Sequence, residues 1–214
     1  MRLIGMLDSP YVRRVAISLD CLGIAFEHAA LSVFKNFAEF QQINAVVKAP
    51  TLVCDDGTVL MDSSLILQFI EASATNGKSL WAADAAGLLQ EFRAVSLALA
   101  ACDKGVQIIY ERNLRPASAQ YEPWLDRATA QLLAACAGLE QEVTGRPQAF
   151  ANVHSQATIT AAVTWQFIQQ LLPGVVLPAR HPALAALSAV LENTSPFRKY
   201  PPLGSGVSAL PGSE

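Results

Sequence analysis

A short polar stretch at residues 74–79, ATNGKS, divides the chain into two parts built on different rules. Before it, short apolar runs alternate with amphipathic stretches. After it there is no convincing strand, and long alanine- and leucine-rich segments follow one another. This order predicts an α/β domain followed by an all-helical one.

In the first part, RLIGML (residues 2–7) is an apolar strand candidate. From Pro10 to Leu22, Val12, Val15, Ala16 and Leu19 recur at i, i+3, i+4 and i+7, a helical face, and Gly23 is placed to end it in a left-handed conformation. FEHAAL (26–31) reads as a second strand and FAEFQQI (37–43) as a short helix. PTLVC (50–54) and VLM (59–61) read as two strands joined by the turn DDGT, with Gly57 free to take positive φ. A helix runs from Ser63 through SLILQFIEAS, giving the order βαβαββα. In the second part, helices are predicted over Ala85 to Tyr110, Trp124 to Val143, Ser155 to Leu171 and His181 to Glu192. Their alanines allow close helix–helix approach. The expected domains are 1–78 and 85–200, with an irregular tail at 201–214 rich in Pro, Gly and Ser.

Several function classes fall away at this level. No uninterrupted apolar run approaches the roughly 20 residues of a membrane span, and MRLIGML is too short for a secretory signal. The net charge is −3 with no basic stripe, so a nucleic-acid partner is not expected. The four cysteines, Cys21, Cys54, Cys102 and Cys136, form no C-x-x-C pair and read as buried free thiols in a reducing cytoplasm. His28, His154 and His181 show no metal-ligand spacing, and no metal is expected.

Three stretches can carry chemistry. Ser9 stands directly before Pro10 at a helix start, where a serine is an ordinary cap and Pro suits the first helical position; its hydroxyl is also placed to face a ligand. In VVKAPTLV, Pro50 opens a strand to which it cannot donate. Spacing alone predicts a trans Ala49–Pro50 bond, since only about 5–6% of X-Pro bonds are cis. In LMDSS, Asp62, Ser63 and Ser64 stand where a strand gives way to a helix. One of them caps that helix. The same geometry suits an α-amino acid head group, with the carboxylate at the helix N-terminus and the ammonium beside Asp62.

Taken together, SPYVRRVAISLDCLGIAFE, NAVVKAPTLVCDDGTVLMDSSLILQFIE and the helical region after the linker resemble the glutathione S-transferases, over roughly residues 1 to 200. The likeness is to bacterial members with a serine after the first strand. It implies a thioredoxin-like domain followed by an all-helical domain, in a cytoplasmic homodimer. It implies that the Ser9 hydroxyl stabilises the glutathione thiolate, that Pro50 is cis after all, and that the Ala49 backbone pairs with the cysteinyl part of glutathione. Asp62 and Ser63 would hold the γ-glutamyl group. Lys48 lies in the same loop, either solvated or near a ligand carboxylate, and Asp103 would reach the neighbouring subunit's ligand. A second-substrate pocket would draw on Met6, Leu7, Tyr11, Ile108, Ile109, Arg112 and Trp165, although a stripe of this sort is more often core than pocket.

Two departures from the family pattern stand out. NAVVKAP has Ala45 and Val47 where N-P-x-G-K-x-P is usual. In HSQATITAAV, Thr158 replaces the acid of a capping box opened by Ser155; it is expected to accept from the Ser155 N–H without bringing charge. The chain also lacks the S-S-C of zeta-type isomerases and a cysteine near Ser9 of the disulfide-reducing kind. The function implied is transfer of the glutathione sulfur to a small electrophile. The alternatives are a non-catalytic binding protein of the same fold, or a glutathione-dependent reductase or peroxidase.

Overall fold

A computed structural model describes residues 1–74, 77–204 and 206–207. The described chain separates into two compact units. The first comprises Met1–Leu80 and Thr194–Gly206, and the second contains Trp81–Asn193.

The first unit runs β1 (Arg2–Ile4), α1 (Pro10–Leu22), β2 (Glu27–Ala29), α2 (Phe37–Ile43), β3 (Thr51–Val53), β4 (Val59–Met61) and α3 (Ser63–Ser73). The strands lie in the order β2-β1-β3-β4. β2 is parallel to β1, with Leu3 opposite His28; β3 is antiparallel to both neighbours, with Leu52 opposite Leu3 and Leu60. This is the mixed, thioredoxin-like sheet that was expected. Leu3, Ile4 and Leu52 are fully buried, as are Val12, Val15, Ala16 and Leu19 on the apolar face of α1 and Ile66 and Ile70 of α3. α1 and α3 pack beside each other.

The strands are shorter than the apolar runs, for local reasons. β1 stops at Ile4 because Gly5 turns to φ 137°, and β3 starts only at Thr51 because Pro50 has no N–H for the ladder. α1 ends as expected. Gly23 adopts φ 72°, and the N–H groups of Gly23 and Ile24 return to the Asp20 and Leu19 carbonyls at 2.9 Å each, which satisfies two of the last-turn carbonyls.

The second unit consists of α4 (Ala85–Leu114), α5 (Glu122–Gly145), α6 (Gln156–Leu171) and α7 (Pro182–Leu191), with short 3₁₀ turns at Ala117–Ala119 and Pro178–Arg180. α4 continues past Tyr110 to Leu114, two residues short of Pro116. By length and composition α4 would suffice to cross a membrane. Its buried stripe, Ala94, Ala98, Ala101 and Ile108, belongs to the packing of α4 against α5 and α6. A further helix that the sequence left unassigned, α8 (Ser195–Lys199), packs on α1 in the first unit. The described tail residues beyond it, 201–204, 206 and 207, have no regular structure; residues 205 and 208–214 lie outside the described residues.

Two expectations need correction. Thr158 does not accept from the Ser155 N–H, which instead donates to the Asn152 carbonyl at 3.1 Å. The Ser155 hydroxyl accepts the Thr158 N–H at 3.2 Å and donates to the Thr158 hydroxyl at 2.8 Å. Both residues are buried, so the cap is a closed, uncharged pair. Of the cysteines, Cys102 and Cys136 are buried, but Cys21 and Cys54 are only partly so. Cys21 lies at the end of α1, and Cys54 follows β3 at the Gly57 turn. Burial pushes the Cys136 thiol up to about 12, and burial followed by the Asp20 carboxylate pushes Cys21 up to about 11.

Candidate functional site

Ser9 has extended backbone angles, φ −72° and ψ 122°, with Pro10 in the first turn behind it. Its carbonyl accepts the Arg13 N–H at 3.0 Å, and its Oγ accepts the Val12 N–H at a long 3.4 Å. Ser9 is therefore the cap of α1. A hydroxyl that accepts through a lone pair keeps its proton to donate. The half-buried Ser9 Oγ thus presents a donor at the positive end of a helix of 13 residues.

The loop before β3 brings the second element. The Ala49–Pro50 bond is cis, as the resemblance implied and against the expectation from spacing. The sheet ladder ends at Thr51, which pairs with Ile4 and Met61, so Ala49 lies beyond its edge. Gly5 sets how closely this turn approaches α1. A Cβ there would stand 2.6 Å from Val12 Cγ2 and 3.0 Å from Ala49 Cβ. Buried Asn44 shapes the rest of the loop: its Nδ2 donates to Thr51 Oγ1 at 2.8 Å and its Oδ1 accepts the Val46 N–H at 3.0 Å. Thr51 Oγ1 donates in turn to the Lys48 carbonyl at 2.7 Å. This network holds the loop although Ala45 and Val47 depart from the family pattern. Val47 occupies φ 52°, the left-handed region, at the position where the pattern has glycine. A β-branched residue is strained there.

The third element is the start of α3. Asp62, at φ 74°, is the residue that caps it: Oδ1 accepts the Ser64 and Leu65 N–H groups at 2.9 and 3.3 Å. Its other oxygen lies 3.6 Å from Lys48 Nζ. With both side chains about half exposed, this pair contributes at most about 1 kcal/mol, and an ammonium group can take the place of the lysine. Non-glycine residues held at positive φ cluster at functional sites, and Val47 and Asp62, the two such residues in the described chain, both lie around this cluster.

Sequence reasoning missed the groups that join these elements. Arg13 and Arg14 are both 1% exposed. One residue apart on a helix, they project about 100° apart. Arg13 turns to the chain's far end, donating from Nε to the Tyr200 carbonyl at 2.8 Å and from Nη2 to the Phe197 carbonyl at 3.4 Å, with its guanidinium 5.3 Å from the Phe197 ring centre. Arg14 turns to α3, donating from Nη1 to Ser63 Oγ at 3.2 Å and Ser64 Oγ at 3.3 Å. Asp8, beside Ser9, accepts the Gly206 N–H at 2.8 Å. Paired arginines within an amphipathic stretch ordinarily mark a solvated face, and neither lies on the apolar face of Val12, Val15, Ala16 and Leu19, so the sequence carried no signal of their burial.

The remaining candidates divide between the two units. Tyr11 is half-buried in α1. Ile108, Ile109 and Trp165 are buried residues of the helical unit, and Trp165 stands 5.7 Å from the His181 ring. Arg112 and Asp103 are exposed on α4. Met6 and Leu7 are half-buried between β1 and α1.

Residues 3–78 match the sequence profile of the glutathione S-transferase N-terminal domain. A structure of a glutathione S-transferase from Methylobacterium radiotolerans, in complex with glutathione sulfonate, superposes on this chain with a TM-score of 0.88 at 28% identity, over 97% of both chains. Residues 3–78 of this chain thus carry the glutathione S-transferase N-terminal profile, and the whole chain is similar in fold to a solved glutathione S-transferase. A glutathione transferase family member from Pseudomonas fluorescens Pf-5, with bound glutathione, has 27% identity and a TM-score of 0.79 over 95% of this chain and 99% of that one. The uncharacterized GST-like protein YibF of Escherichia coli is 31% identical over 127 residues, 59% of this chain; the match spans 62% of that relative's length. Within this glutathione S-transferase fold, Ser9, the Ala49–Pro50 turn and Asp62–Ser63 all belong to the first unit.

Proposed function

We propose that this chain is a serine-type glutathione transferase. The observation that carries the reading is the Ser9 hydroxyl, half-buried at the N-terminus of α1 with only a long cap bond to hold it. Bound glutathione in the similar structures supports the ligand. In this reading the γ-glutamyl ammonium takes Asp62 and its carboxylate meets the start of α3 at Ser63. The cysteinyl backbone pairs with Ala49, and Lys48 faces a ligand carboxylate.

The chemistry asked of the protein is modest. A free thiol has a pKa near 8.5, so little is ionised at neutral pH. A hydrogen bond from Ser9 and the α1 dipole both favour the thiolate; lowering the pKa by about two units amounts to roughly 2.7 kcal/mol. The thiolate forms the new C–S bond with its own electron pair, and the bond from that carbon to the leaving group breaks, the leaving group keeping the pair. The reading includes a cytoplasmic homodimer in which Asp103 reaches the neighbour's ligand.

Calorimetric titration with glutathione, followed by a conjugation assay with chloro-dinitrobenzene, tests it. Ser9→Ala is expected to lower kcat by about 10–100-fold, the worth of one hydrogen bond to a charged group, with the thiolate absorbance of bound glutathione moved to higher pH and affinity nearly unchanged. No heat at millimolar glutathione, or full activity in Ser9→Ala, refutes the reading; glutathione binding without conjugation points to the binding-protein alternative.

A further inference from the structure

We infer that Arg14 is a positioning residue for the ligand carboxylate at the start of α3, orienting the Ser63 and Ser64 hydroxyl protons outward; the inference rests on the glutathione reading above. A guanidinium has five donors and no acceptor. Where Nη1 donates to both Ser63 Oγ and Ser64 Oγ, at 3.2 and 3.3 Å, neither hydroxyl can return its proton to the arginine. Each serine spends a lone pair inward and sends its O–H elsewhere. Ser64 is exposed, and Ser63, at 4% exposed, stands at the first helical position beneath it, so Ser64 offers the more accessible hydroxyl. The N–H groups of Ser64 and Leu65 are already taken by Asp62. The donors left for an anion at this helix start are therefore the two hydroxyls, with the Ser63 N–H.

Arg14 is 1% exposed, so no ligand touches it directly. Its charge acts through the serines: accepting from a cation polarises a hydroxyl and makes it a stronger donor. The outward side thereby suits a carboxylate, while Asp62 and its exposed oxygen suit an ammonium. The arrangement distinguishes the two groups on one α-carbon, which is what recognition of a γ-glutamyl head group demands. A merely structural tie between α1 and α3 would not depend on which of those groups the ligand carries.

The test compares binding of glutathione with binding of the same tripeptide lacking the γ-glutamyl α-carboxylate, by calorimetry on the full chain. The native protein is expected to prefer glutathione by at least 10-fold. Arg14→Met should reduce that preference to 3-fold or less by weakening glutathione alone, and Arg14→Lys should restore part of it. Ser63→Ala combined with Ser64→Ala keeps the arginine and should lose the same preference; adding Arg14→Met to that pair should then change nothing further. This serine pair also decides the matter if Arg14→Met fails to fold. Equal weakening of both ligands by Arg14→Met, or an unchanged preference in the serine pair, overturns the assignment. Failure of the native protein to bind glutathione overturns both this assignment and the proposed function. Binding without conjugation removes the transferase activity and leaves the role of Arg14 standing.

Discussion

Replacing Val47 by alanine and, separately, by glycine should invert the usual ranking of those two residues. At ordinary positions glycine is the less stable by roughly 0.5–1 kcal/mol, because it gives up more chain freedom on folding. Val47 sits at φ 52°. A left-handed conformation costs an L-residue roughly 1–2 kcal/mol, and glycine nothing comparable. Both substitutions delete the same valine methyl groups, so lost packing cancels between them. The difference leaves glycine ahead by about 0.5–1 kcal/mol. In a chain of 214 residues that is a gain of roughly 1–4 °C in Tm relative to alanine. Scanning calorimetry of the two variants in parallel measures it. An alanine variant equal to or more stable than the glycine variant would refute the reasoning, because the backbone at 47 would not then be left-handed in solution.

Gly5→Ala should destabilise the first unit by about 2–4 kcal/mol, since its Cβ would press to 2.6 Å from Val12 Cγ2 at a φ of 137°. Val12→Ala made alongside it should recover part of that loss in urea denaturation; no recovery would show that the overlap is not the cause. The Cys136 thiol ionises near 9 when unfolded but is raised to about 12 in the fold by burial. The folded state therefore holds its proton longer, and its advantage is complete below pH 9 and lost as pH rises from 9 to about 12. Unfolding midpoints against pH should fall less steeply above pH 9 in Cys136→Ala than in the native chain; parallel slopes would contradict this.

Much of the frame was legible because local signals agreed with the packing. Pro10 and Gly23 bracket α1 at the limits the sequence suggested, and the Gly57 turn sits where DDGT placed it. The site's ends were legible for the same reason: Ser9 and Asp62 are capping residues, and capping is a local interaction. What escaped notice is non-local. Asn44 acts through Thr51, and Arg13 and Arg14 act through partners 49 or more positions away. Nothing in their own neighbourhood tells a buried guanidinium from a solvated one. Gly5 lies inside the predicted strand RLIGML, and its use is visible only with Ala49 beside it. α8 was missed because SPFRK is barely one turn long and takes its order from α1.

The return of Thr194–Gly206 to the first unit has a consequence for synthesis on the ribosome. Its segment 1–80 is made before residues 81–193, and its segment 194–206 only after them. Residues 81–193 emerge in between, which at roughly 5–20 residues per second takes roughly 6–23 s. Throughout that interval the Tyr200 and Phe197 carbonyls that receive the Arg13 guanidinium have yet to be made. The nascent first unit therefore waits, unfinished, while the helical residues between its two segments are made.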